Sequence, residues 1–161
     1  MVETDGKGNA PLQSLPTGYE LLTGEQERTV DEKGRIVLPA GQWREAFAGK
    51  AWVGPFKGGS LVLWTERSFA HALSEIAAQE TARALPDGSI EHFRRSNPQV
   101  TVDAQGRLTL PPPLRQLRNI DLNTPVLLEG QGDRLELRRL DAANRLSSAE
   151  YDALMDLFDH R

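Results

Sequence analysis

A ten-residue stretch occurs twice in this chain, as Val-Asp-Glu-Lys-Gly-Arg-Ile-Val-Leu-Pro at 30–39 and as Val-Asp-Ala-Gln-Gly-Arg-Leu-Thr-Leu-Pro at 102–111. A shift of 72 positions superposes Asp31 on Asp103, Gly34 on Gly106, Arg35 on Arg107, Leu38 on Leu110 and Pro39 on Pro111. Such self-similarity means two copies of one supersecondary unit, so any fold for this chain must place that unit twice. Each copy enters through a β-branched valine and turns over Asp-x-x-Gly-Arg, where only glycine easily supplies a positive φ. It leaves through an alternating apolar run that proline stops. The unit predicted is strand, tight turn, strand.

The segments C-terminal to the two copies are also alike. After Pro39, Trp43 and Phe47 stand at i and i+4 on one face of a short helix that Gly49 ends. After Pro111, the pair Pro112-Pro113 opens a short helix with Leu114 and Leu117 inward and Arg115 and Arg118 on its other side. Strands are predicted at Ala51-Trp-Val-Gly54 and Leu61-Val-Leu-Trp64 around the turn Gly58-Gly59, and at Val126-Leu-Leu128 and Leu135-Glu-Leu137 around Gly130-Gln-Gly-Asp133. Leu61-Val-Leu-Trp64 aligns with Leu135-Glu-Leu-Arg138, so the likeness of the halves outlasts the signature.

Between the halves, Phe69, Leu73, Ile76 and Ala77 mark an amphipathic helix from Glu66 to about Ala84, which Pro86-Asp-Gly-Ser89 breaks. A second short helix comes next, capped by Ser89, with Ile90 and Phe93 inward. At the far end Ser147-Ser-Ala-Glu150 reads as a capping box before Tyr151, Leu154, Met155 and Phe158. The organisation expected is an N-terminal arm without regular structure at 1–23, a first unit at 24–65, a helical linker at 66–96, a second unit at 97–140 and a C-terminal helix at 141–161. The apolar cluster Tyr19, Leu21 and Leu22 sits at the arm's end, between Gly18 and Gly24.

At 161 residues, 39% hydrophobic and 26% charged, the chain has the composition of an ordinary globular protein. It shows no apolar run of spanning length and no basic-then-apolar leader, so neither a membrane span nor secretion is expected. Without cysteine it forms no disulfide and no thiolate site, which fits a reducing compartment. The formal charge of −4 argues against a basic face over the whole chain, and any nucleic-acid contact has to be a local patch. The surplus acidic residues gather in the arm, the linker helix and the last helix.

The tandem Asp-x-x-Gly-Arg turns, each followed by Leu-Pro and a short helix carrying an arginine (Trp43-Arg44, Leu114-Arg115), resemble the MraZ family of bacterial regulators, built from two SpoVT/AbrB-type repeats. Leu127-Leu-Glu-Gly130 and Leu135-Glu-Leu137 are similar to that family's closing hairpin. The resemblance spans about residues 24–140. It implies an α+β, β-rich fold of two pseudo-symmetric, swapped-hairpin repeats forming one barrel-like unit with a helical linker and a C-terminal helix. It also implies a cytoplasmic, nucleoid-associated, sequence-specific transcriptional regulator that forms a ring-shaped homo-oligomer on promoter DNA, binding short direct-repeat boxes. The chain departs from the family pattern by an extra residue between Pro39 and Trp43, about two more around Asn119–Leu122, a shorter and less basic segment before the second copy, and a long N-terminal arm.

Two readings of the turns stand side by side. Arg35 and Arg107 can donate to phosphates or read guanine with a bidentate fork. Equally, each can pair with Asp31 or Asp103, four residues back, while the aspartate caps the turn's amides and Gly34 or Gly106 closes it. The expected DNA contacts are Arg28, Lys33, Arg35 and Arg44 from the first half and Arg107 and Arg115 from the second, with Arg94, Arg95 and Arg118 near the latter. A scattered distribution of these charges is the alternative. A reading from another class is a protein-interaction module, antitoxin-like or a scaffold, that uses the N-terminal arm or C-terminal helix. No enzyme, metal or cofactor is expected: His71, His92 and His160 lack ligand spacing, and Gly54-Pro-Phe-Lys-Gly-Gly59 lacks the ending of a phosphate-binding loop.

Overall fold

The structure is a computed structural model of the chain and describes residues 21–142 and 146–159. Most of the expected arm, with Gly18 and Tyr19, and His160 lie outside the described residues. In chain order the elements are β1 (Glu25–Thr29), β2 (Arg35–Val37), α1 (Gln42–Phe47), β3 (Lys50–Pro55), β4 (Leu61–Trp64), α2 (Glu66–Thr81), α3 (Ser89–Ser96), β5 (Gln99–Thr101), β6 (Arg107–Thr109), α4 (Pro112–Leu117), β7 (Pro125–Gly130), β8 (Arg134–Arg139) and α5 (Ser148–Asp159). The class is α+β, with one large antiparallel sheet.

That sheet has the order β1-β7-β8-β4-β3-β5, and a separate ribbon pairs β2 with β6. The expected strand–turn–strand unit therefore closes at its turn but not beyond it. β1 leaves to pair with β7, β5 pairs with β3, and the short strand after each turn joins its counterpart from the other half. The reason lies in the run after the arginine: Ile36 and Leu108 face each other across the ribbon and are both buried, which no ladder within one copy would achieve. No ladder among the described residues joins β1 to β5, so the six-stranded sheet stays open and is not a closed barrel.

Strand alternation sends Leu61, Leu63, Leu135, Leu137 and Leu128 to one sheet face, where they meet Val30, Ile36, Leu38, Val102, Leu108 and Leu110. Each such side chain, fully buried, contributes about 1.5–3 kcal/mol of apolar transfer. Trp43 and Phe47 close this core from α1, and the Trp43 Nε1–H donates to the Thr23 carbonyl at 3.0 Å. On the other face, Val62 and Trp64 meet α2 and α3 through Phe69 and Phe93, with Trp52 stacked on Phe69 at 5.1 Å and Phe69 on Phe93 at 5.5 Å. Buried Asn97 joins α3 to this layer by accepting from Trp64 Nε1–H at 3.2 Å. Beside them Glu136, almost fully buried, lies between Arg134 and Arg138, each 3.2 Å from one of its oxygens.

Three local expectations need correction. Leu117 is 56% exposed, because Arg118 takes the inward route instead, donating to the carbonyls of Ser60 and Phe56 at 3.0 and 2.7 Å. α2 ends at Thr81, three residues short of Ala84, where Arg83 takes a positive φ of 63°. Ser89 does not cap α3: the Glu80 carboxylate accepts from Ile90 N–H at 2.9 Å and Gly88 N–H at 3.3 Å. α5 forms with its expected capping box, Ser147 N–H to Glu150 Oε1 at 2.8 Å and Glu150 N–H to Ser147 Oγ at 3.1 Å, and its Tyr151, Leu154 and Leu157 are exposed.

Candidate nucleic-acid interface

The two Asp-x-x-Gly-Arg turns fold with one hydrogen-bond scheme. In the first, Asp31 Oδ1 accepts from the N–H groups of Lys33 and Arg35 at 2.9 and 2.8 Å, and Oδ2 accepts from Arg35 Nε–H at 2.8 Å. In the second, Asp103 Oδ1 accepts from Gln105 and Arg107 N–H, each at 2.9 Å, and Oδ2 from Arg107 Nε–H at 2.7 Å. Gly34 and Gly106 donate back to the Asp31 and Asp103 carbonyls at 3.0 and 2.9 Å, with φ of 79° and 81°. The Arg35 N–H is the largest influence holding the Asp31 carboxyl below its ordinary value, and the Arg107 N–H does the same for Asp103. Both carboxylates are thus charged at neutral pH and hold their arginines through Nε, leaving the Nη donors to other partners; Arg107 Nη2 donates to Gln105 Oε1 at 2.8 Å.

The two arginines share a surface. Across the ribbon Arg35 faces Thr109 and Arg107 faces Val37, opposite in side-chain direction to the buried Ile36–Leu108 pair. Arg35 and Arg107 are therefore diagonal neighbours on the outer face, with backbones about 7–8 Å apart. Lys33 is exposed at the tip of the first turn, and among the described residues nothing pairs with its ammonium.

The other expected contacts lie differently. Arg28 binds β1 to the ribbon, its Nε–H donating to the Val37 carbonyl at 2.8 Å and Nη1 to Glu27 O at 2.9 Å. Arg44 donates from Nη2 and Nε to the Leu38 carbonyl at 2.7 and 3.3 Å and lies over Gly106 of the other half's turn. Arg115 mirrors it: Nη1 donates to the Ile120 carbonyl at 3.2 Å, and its guanidinium lies over Gly34. Backbone bonds complete this exchange, Leu38 N–H to Gly106 O at 2.8 Å and Leu110 N–H to Gly34 O at 2.9 Å. Sequence spacing could not show that each helix arginine packs on the turn of the opposite copy. Arg94 and Arg95 are exposed at the end of α3, and Arg118 is bound to the Gly58-Gly59 turn.

Known proteins of one family are similar to this chain. A family model described as "MraZ protein, putative antitoxin-like" matches residues 95–149. Three relatives, each called "Transcriptional regulator MraZ", align over most of the chain. That of Ruegeria sp. is 31% identical over 147 residues, covering 83% of this chain and 86% of the relative. That of Mycolicibacterium gilvum is 33% identical over 119 residues, covering 73% and 80%. That of Moorella thermoacetica is 26% identical over 139 residues, covering 84% and 95%.

Proposed function

The chain belongs to the MraZ family, and from that premise we propose that it is a DNA-binding transcriptional regulator that meets the duplex with its two Asp-x-x-Gly-Arg turns. The observation that carries this reading is the placement of Arg35 and Arg107 on one ribbon face, each half-exposed and held by an aspartate at Nε, which leaves Nη donors of the guanidinium fork for another acceptor. A two-stranded ribbon fits the major groove, and such a fork donates to guanine O6 and N7 or to a phosphate. Lys33 adds a phosphate contact. Arg28, Arg44 and Arg115 support that face from beneath, through carbonyls, and approach DNA only at its edge.

Residues 24–65 and 97–140 act in this reading as two AbrB-type repeats exchanging strands, linked by 66–96. Two pairings support it: Ile36 faces Leu108 and Val62 faces Glu136, and in each case the partners are the corresponding residues of the two halves. One approximate two-fold axis through both pairs accounts for this. We infer that several copies assemble as a closed ring, a role to which the exposed apolar residues of α5 are suited. A ring presents many weak turns at fixed separations, so an acidic chain gains affinity for direct-repeat boxes through effective concentration.

The test is binding to bare duplex DNA over a range of salt. A phosphate-contacting ring weakens steeply as salt rises. Binding to a protein partner alone, with no salt-dependent DNA complex, would favour the protein-interaction reading instead.

A further inference from the structure

The two turns differ at two positions, Glu32 against Ala104 and Lys33 against Gln105, and the second of these touches the arginine. Among the described residues Arg35 is held by Asp31 alone, whereas Arg107 has a second support: its Nη2 donates to Gln105 Oε1 at 2.8 Å. The corresponding residue in the first turn is Lys33, whose ammonium has no acceptor to offer. Gln105 is exposed, as is Lys33, and its backbone N–H is bonded to Asp103 just as that of Lys33 is to Asp31. At this position the side chain alone distinguishes the turns.

We infer that Gln105 is a specificity-determining residue, which makes the second turn a reader of two adjoining base edges and leaves the first a reader of one base plus phosphate. This rests on the proposal that the turns meet DNA. With Asp103 on Nε and Gln105 on Nη2, one side of the Arg107 guanidinium is fully occupied and its plane is fixed. The end formed by Nη1 and Nη2 remains for guanine. Gln105, having given its oxygen to Arg107, keeps the two donors of its exposed amide group. Those donors suit a purine N7, guanine O6 or thymine O4 on the neighbouring pair. Lys33 in the same place is a mobile point charge that satisfies a phosphate as well as any base. A protein built this way prefers a box whose two halves are unlike.

The experiment selects duplexes from a pool randomised over the box, using the full chain and three variants, with melting temperature recorded for each. The parent selects a guanine in both halves and a second preferred base beside only one of them. Gln105→Lys loses that second preference by about tenfold, the worth of one base-edge contact, while affinity for unselected DNA rises. Gln105→Glu keeps the acceptor for Arg107 but exchanges donors for an acceptor, and moves the preference to cytosine, whose N4 donates. Lys33→Gln creates the second preference in the other half and flattens the salt slope by about one contact per engaged subunit. Unchanged base preferences in Gln105→Lys and Gln105→Glu, with DNA still bound, would overturn the role of Gln105 and leave the turns on DNA. Failure of the parent to bind any duplex would overturn both.

Discussion

Gly106 of the second turn lies directly beneath Arg44 of the first half, so close to the backbone that a Cβ there would stand 2.6 Å from the Leu38 carbonyl oxygen. Its counterpart Gly34 has more room: the nearest atom to a Cβ would be Nε of Arg115, at 3.2 Å, the end of a flexible side chain. Both carry a left-handed φ. Alanine at 34 should therefore cost about 1–2 kcal/mol from backbone strain alone. Alanine at 106 adds a backbone clash and should cost clearly more. Chemical denaturation of Gly34→Ala and Gly106→Ala checks the order, and equal costs would contradict the packing.

The arginines should divide by role. Arg44→Ala removes the bonds to the Leu38 carbonyl and should cost about 1–3 kcal/mol, lowering the melting temperature by several degrees. Arg35→Ala removes a pair that is about a third exposed and should cost less than about 1 kcal/mol. A thermal melt that ranks Arg35 above Arg44 would contradict this division.

Acid should act through the turns. A carboxyl whose folded pKa is depressed adds stability that is complete above its unfolded value and is lost as pH falls through the folded one. For Asp31 and Asp103 the ordinary value is 3.8, so their contribution should hold from neutral pH down to about there and vanish below it. Asp31→Asn with Asp103→Asn should lower the melting temperature near neutrality and shrink the further fall in acid. Melting curves from about pH 6 to about pH 2 check this, and a constant offset between parent and variant would contradict it.

Trp43 is 7% exposed and joined by Nε1 to the chain before β1, so Trp43→Ala should cost about 3–5 kcal/mol. The melting temperature should fall by on the order of 10 °C. An unshifted melt would place the indole outside the core.

Much of the architecture was readable from local chemistry. The doubled motif, the i and i+4 aromatics of α1, the Gly58-Gly59 turn and the capping box of α5 each rest on residues near in sequence, and each stands where expected. What could not be read was long-range. Alternation tells that Ile36 and Leu108 are buried but not that they face each other, and only their ladder shows why the strands part after each turn. Leu117 and Arg118 show the same limit, since periodicity favours the leucine while two distant carbonyls draw the arginine inward. Among the candidate contacts, the Asp31–Arg35 and Asp103–Arg107 pairs could be anticipated from spacing. The placement of Arg44 and Arg115 over the opposite turns could not, because it depends on the exchange of strands between halves.

Arg35 and Arg107 should present their guanidinium forks to DNA while the fold rests on other residues. This division is checked by the affinity of the parent, Arg35→Ala and Arg107→Ala for a promoter fragment carrying several direct-repeat boxes at one-turn spacing, with oligomer size and melting temperature measured on the same samples. A second fragment has its boxes shifted by half a turn, so that successive turns meet opposite faces of the duplex. Each variant should lose most of the parent's binding with size and melting unchanged, and the parent should bind the shifted fragment far more weakly. Undiminished binding by both variants, or equal affinity of the parent for the two fragments, would contradict it.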